Sequence, residues 1–241
     1  MHNRPQTSLA LARHMFSLYI SYFLVVWLLL YAGVVVAIVV VGSLTVPKLS
    51  ILDLTTMPPR YWLLGVGAVF PSAMLRVYIA HGVTRARLAR GASTAALVVG
   101  SLLALIMAAA FATEHLIYRG NGWDLPVRGH LFESASSFGL VFGEFAVVYL
   151  VHFLAGWTIG LLFLRMDRMS AILLLVPAYL PAVLAEWVLG AGWPGLVWDG
   201  VFGERISAPW IALVACCVVI AGQTVLNERM TATVPVAAKS N

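Results

Sequence analysis

Long apolar runs alternate with short polar stretches along the whole chain. Residues 16–41 hold 26 consecutive positions without a charge. At ~1.5 Å per helical residue this run reaches ~39 Å, beyond the ~30 Å hydrocarbon core, so it must tilt or begin in the interface. The core of a cleaved secretory signal is only about 7–15 residues, so the run reads as a retained span. Five further runs lie at about 61–80, 92–118, 134–164, 169–189 and 206–226. Residues 1–15 read either as a short interfacial helix from Leu9 or as a solvated tail. Residues 190–205, with Trp193, Trp198 and Phe202, read as an interfacial or partly re-entrant segment, and 227–241 as a polar tail. The pattern predicts an all-α polytopic membrane protein, one transmembrane domain over 1–241 with six transmembrane helices.

Composition agrees with the pattern. The chain is 61% hydrophobic and 10% charged, where a soluble domain carries about 25% charged residues. The excess apolar surface must face lipid. Small residues recur at helical spacing: Ala104, Ala108 and Ala112 in the third run, and Gly139, Gly143, Gly156 and Gly160 in the fourth. Such stripes suit close helix packing, within a bundle or across a dimer. Pro177 and Pro181 predict kinks in the fifth run.

The placement of charge predicts orientation. With both termini inside, ten of the fifteen basic residues are cytoplasmic: Arg4, Arg13, Arg76, Arg85, Arg87, Arg90, Arg165, Arg168, Arg229 and Lys239. The other five, Lys48, Arg60, Arg119, Arg128 and Arg205, fall in outer loops beside Asp53, Asp124, Glu133, Asp199 and Glu204. Short loops rich in Lys and Arg stay inside, so the bias predicts N-in, C-in. Six tryptophans (Trp62, Trp123, Trp187, Trp193, Trp198 and Trp210) then sit near the outer face, as an aromatic belt does. The formal charge of +5 needs no nucleic acid to explain it. Cys216 and Cys217 are adjacent in an apolar run, without a CxxC or Cys–His metal pattern. Phosphate-loop, HExxH and GxSxG motifs are absent.

Candidate chemistry lies in a few polar residues inside the runs: Glu114, Glu144, His152 and Glu186. They form a possible substrate pathway or proton relay at the outer half of the bilayer, since acids there must face an interior, a cavity or each other. A plainer reading makes Glu114 and Glu186 interfacial, and makes Glu144 a hydrogen-bonding partner of a neighbouring helix. Glu144 and His152 are eight residues apart and could share a helix face. A metal site needs three well-placed ligands, and spacing alone does not supply them.

Residues 77–90 are the most basic piece, with Arg85, Arg87 and Arg90 within six residues. Gly82 offers a break, Thr84 an N-cap, and a short helix is expected through Arg90. A cytoplasmic loop of this kind could simply fix topology and touch anionic lipid. Its form also resembles the coupling segment of a type-2 ABC transporter permease, in the G-V-T-R stretch Gly82, Val83, Thr84 and Arg85. The order of parts across the chain is similar to that family: a basic N-terminal elbow, a coupling segment between spans two and three, a short turn between spans four and five, and an aromatic outer segment before span six. The resemblance implies a short cytoplasmic coupling helix formed by Tyr78, His81, Gly82, Val83, Thr84, Arg85, Arg87 and Arg90, seated in a groove of a separate ATPase. It implies ATP and magnesium on that partner and no cofactor on this chain, a second permease subunit, identical or related, and residence in the cell's inner or plasma membrane. Export of a small amphipathic molecule, peptide or lipid follows; the lack of a large extracellular domain weighs against a big glycan.

Other function classes remain in view. An intramembrane enzyme would use Glu144, His152 and Glu186, with Glu114, as acid–base or metal groups and would act in the isolated chain. A proton-coupled carrier would often show an inverted repeat, and residues 16–118 and 134–226 show no convincing similarity. A non-transporting membrane scaffold is the third alternative.

Overall fold

A computed structural model gives the architecture. It describes residues 8–47, 50–123, 127, 129–192 and 208–234, with residues 8–24 described by backbone alone. The described residues form helices, turns and loops, without strands. In chain order the helices are α1 (Ser8–Leu44), α2 (Met57–Ala80), α3 (Arg85–Gly120), α4 (Phe138–Arg165), α5 (Arg168–Leu173), α6 (Leu175–Leu189) and α7 (Pro209–Ala232), with a 3-10 turn at Asp53–Thr55. Counting α5 and α6 together, six segments are long and apolar enough to cross a membrane. The chain is therefore a multi-pass membrane protein by length and composition.

The fourth segment is the hub. α4 touches α2, α3, α6 and α7, while α1 lies at the periphery on α3. Residues from Val141 to Leu162 of α4 are mostly buried, among them Phe145, Tyr149, His152 and Trp157. Among the α1 residues whose side chains are described, Trp27, Tyr31, Val34 and Ile38 are buried, a stripe at spacings of four, three and four on one face. Its other side, including Val25, Leu29, Val36 and Val39, is exposed, as a lipid-facing surface is.

The closest pairing is α2 on α4. A Cβ at Gly156 would collide with the Leu64 carbonyl, one at Gly160 with the Ala68 carbonyl, and one at Gly67 with the Phe153 carbonyl. Only glycine lets the two backbones approach so nearly. The small-residue stripe at Gly156 and Gly160 thus serves packing inside this chain. Gly143 lies against the Leu213 side chain of α7, whereas nothing stands within 4 Å of a Cβ at Gly139.

Several boundaries differ from those expected. The short coupling helix between spans two and three is not a separate element: Arg85 opens α3, which runs unbroken to Gly120. Leu88, Ala89, Gly91 and Ala92 are buried and extend the face used further along α3, so no break forms after Arg90. The cap behaves as expected, with Arg87 N donating to Thr84 Oγ1 at 3.3 Å. Likewise α1 is one helix from Ser8, without an interfacial helix set apart from the first span. α4 begins at Phe138, later than expected, because Ser134, Ser136 and Ser137 form a turn ahead of it.

The fifth run breaks at Leu174, between α5 and α6. Pro177 has no N–H to donate to the Leu173 carbonyl and its ring crowds that carbonyl, so the helix yields one turn ahead of it. Pro181, by contrast, sits inside α6. α7 carries on through residues expected as tail, because Gln223, Asn227 and Thr231 are buried on one face. Asn227 Nδ2 donates to the Leu154 carbonyl at 2.9 Å, and Thr158 Oγ1 donates to Asn227 Oδ1 at 2.8 Å. The expected segment at 190–205 falls, from residue 193 on, outside the described residues.

Candidate functional site

Antiparallel spans place two kinds of connection at opposite ends of the bundle. One end carries the longer connections, 45–56 and 121–137, and is called the loop end below. The other carries the tight turns at 81–84 and 166–167 together with the end of α7, and is called the turn end.

At the loop end the acids meet partners from distant parts of the sequence. Glu114 of α3 is fully buried. Its carboxylate accepts from Ser50 Oγ at 2.7 Å, Ile51 N at 2.8 Å and Leu52 N at 3.4 Å. These donors come from a stretch without regular hydrogen-bond partners of its own, so Glu114 acts as a template for it. Residues 53–55 then wind into the 3-10 turn, with Thr56 Oγ1 donating to the Asp53 carbonyl at 2.9 Å.

Asp53 leads to the second carboxylate. His130 Nε2 lies 3.0 Å from Asp53 Oδ1, and His130 Nδ1 lies 2.7 Å from Glu144 Oε1. The other oxygen of Glu144 accepts from Leu131 N at 2.6 Å. The imidazole stacks on Phe132 at 4.7 Å and meets Phe111 edge-on at 5.7 Å. Burial pushes the His130 pKa down, but the negative charge of Glu144, hydrogen bonds to Asp53 and Glu144 and the charge of Asp53 outweigh it and raise it to about 9. At neutral pH the ring is thus an imidazolium donating to both carboxylates.

The third carboxylate joins three helices. Arg60 Nη1 of α2 lies 2.5 Å from Glu186 Oε1 of α6, and each residue is 1% exposed. Arg60 Nε also donates to the Thr56 carbonyl at 3.2 Å. Beside them His152 of α4 donates from Nδ1 to the Val148 carbonyl at 2.7 Å, so its Nε2 accepts from Tyr179 Oη at 3.0 Å. Glu186 Oε1 is 3.6 Å from that same Nε2, too far for a hydrogen bond. Tyr61 presents its ring edge-on to His152 at 5.9 Å.

The structure therefore brings Glu186 and His152 together and ties Glu144 and Glu114 into adjoining clusters. Glu114 and Glu186, read more plainly as interfacial, are fully withdrawn from the surface. The residues that complete these clusters, Arg60 on Glu186, Tyr179 on His152, and His130 between Glu144 and Asp53, went unrecognised in the sequence. One signal was available: each acid inside an apolar run needs a cation or several donors, and Arg60 is the basic residue at the mouth of span two. Among the described residues no group of three or more His, Cys, Asp and Glu side chains is placed to hold a metal ion. A groove of about 400 Å³ opens nearby, lined by residues including His115, Arg119, Trp123 and Glu133, and its lining leaves out all four expected pathway residues.

At the turn end the cationic segment is an ordered corner. Val83 N donates to the Tyr78 carbonyl at 2.9 Å, and Gly82 adopts φ 78°, where a side chain would be strained. Tyr78 and Val83 are buried anchors, while His81, Gly82, Thr84 and Arg90 face outward. Arg85 Nη1 donates to the Ala232 carbonyl at 3.3 Å. Arg165 Nη1 donates to the Met230 carbonyl at 2.7 Å and to Thr233 Oγ1 at 2.8 Å. Two arginines from other helices thereby satisfy carbonyls at the C-terminus of α7, where the helix dipole favours a cation. Ser93 Oγ fixes Glu228 at 3.0 Å. Arg90 Nε bonds its own helix at the Ala86 carbonyl, 3.3 Å away. Across the junction Asp167 caps α5: it accepts from Ser170 N at 3.0 Å, and this bond holds its pKa below the ordinary value.

Comparison with protein-family models, curated proteins and solved structures found no match to this chain.

Proposed function

We propose that the chain is the membrane permease subunit of a type-2 ABC transporter, exporting a small amphipathic molecule, peptide or lipid under the drive of a separate ATPase. The observation that carries this reading is the ordered cationic corner at residues 77–90. A buried anchor on each side of Gly82, a capped helix start and arginines at the head of a 36-residue helix make a stiff handle. Force applied at Arg87 and Arg90 would pass along α3 to the loop end, where Glu114 grips residues 50–52. In this reading the turn end is cytoplasmic, as the bias of Arg and Lys requires, a second permease copy or relative completes the pathway, and ATP and magnesium sit on the partner. Glu114, Glu144 and Glu186 are each held by donors or a cation, which weighs against free acid–base groups of an intramembrane enzyme.

Arg85 already holds the end of α7, so the discriminating variant leaves it intact. Arg90→Glu, at an exposed side chain that bonds its own helix, should preserve membrane insertion and thermal stability, while co-purification with the nucleotide-hydrolysing subunit falls to background. Undiminished co-purification of that subunit would refute the docking role.

A further inference from the structure

The ion pair that reaches α6 lies near its loop end, whereas the Tyr179 tie lies in its first turns, close to Leu174. Glu186, three residues before its last, takes the Arg60 guanidinium of α2, and Tyr179 donates to His152 of α4. The other end has a broken helix at Leu174 and a proline, Pro177, that cannot restore the missing hydrogen bond. Between them α6 turns Ala178, Ala182 and Ala185 inward, a seam of small side chains crossed by the Tyr179 ring, 5.7 Å from His152, and by Leu189 at the loop end. A rod that is hinged at one end, tied by Tyr179 close to that hinge where the lever arm is short, and bolted by charge at the far end has one soft direction of motion.

We propose that α6 is a gate helix of the bundle, pivoting about Leu174 and held shut by the Arg60–Glu186 ion pair. The Tyr179–His152 hydrogen bond is the lesser bolt. Removing the Glu186 charge leaves Arg60 buried without its counter-ion, and the free energy that opposes this state becomes available to swing α6 outward. Water then reaches Arg60 and His152 along the opened seam. What such a gate would pass rests on the permease reading; its motion does not.

The chain carries its own reporter. Cys216 on α7 is buried beneath α6, with Sγ 3.8 Å from the Ala185 carbonyl, while Cys217 is exposed. In a Cys217→Ala background, in proteoliposomes without any ATPase, N-ethylmaleimide should label Cys216 slowly. Glu186→Gln should raise that rate by about tenfold or more, a fraction of the shift that leaving a buried ion unpaired can drive. Adding Pro177→Ala, which restores the donor to the Leu173 carbonyl, should bring the rate most of the way back. A thiol at Ala104, buried on α3, in a Cys216→Ala, Cys217→Ala chain distinguishes gating from unfolding: Ala104→Cys should stay unreactive in the Glu186→Gln variant. An unchanged Cys216 rate, or a parallel rise at Ala104→Cys, overturns the gate, and a rate insensitive to Pro177→Ala overturns the pivot. Loss of ATPase association in the Arg90→Glu variant is a separate outcome and leaves this result standing.

Discussion

The two ends of the bundle use the same side chains for opposite physical jobs. At the loop end Arg60 is buried against Glu186, out of water, and each charge exists because the other is there. At the turn end Arg85 and Arg165 remain exposed and bond backbone carbonyls of α7. A buried pair that loses one member costs about 3–5 kcal/mol, although replacing both members by apolar groups is often neutral. A cation near an exposed helix C-terminus is worth only about 0.3–1 kcal/mol. The loop end is therefore specified by charge pairing, and the turn end is a cationic surface whose individual contacts are replaceable.

The sharpest way to break that contrast is at Arg60. Arg60→Met alone should lower stability by about 3–5 kcal/mol, read by chemical denaturation in detergent, while Arg60→Met with Glu186→Leu should recover most of the loss. If single and double variants are equally unstable, the pair is not what holds α2 to α6.

The next largest effect belongs to His130. Its folded pKa is raised to about 9, above an ordinary value of about 6.5, so the protonated ring stabilises the fold. That contribution is fully present below pH ~6.5 and is lost as pH climbs through about 9, in total about 3 kcal/mol. Thermal unfolding between pH 6 and 10 should show the decline, and His130→Gln should flatten it. A wild-type curve that is level across this range would remove the imidazolium bridge between Asp53 and Glu144.

The smallest effect is expected at the turn end. Arg165→Ala should cost about 0.3–1 kcal/mol and should speed amide exchange around residues 230–234, with the melting temperature nearly unmoved. A loss as large as that of Arg60→Met would mean that the two ends are built alike.

Particular residues show what was legible in the chain before its fold. The apolar runs marked six spans because a helix in lipid satisfies its own backbone, so hydropathy alone suffices. Thr84 read as a cap and Pro177 as a weak point for reasons that act within four residues along the chain. The coupling helix failed as a separate element because Leu88 and Ala92 are buried by neighbouring helices, and that burial carries α3 through the basic stretch. Asn227 looked like tail for the same reason: its partners Thr158 and Leu154 lie about 70 positions away.

Local sequence thus determined which segments are helical and apolar, where Thr84 starts a helix and where Pro177 weakens one. Tertiary structure alone decided that Glu114 would hold residues 50–52, that His130 would bridge Asp53 and Glu144, and that Arg60 would neutralise Glu186 from 126 positions away. The reason is that a buried charge needs a partner in space, and the bundle chooses that partner by bringing helix ends together, whatever their order along the chain.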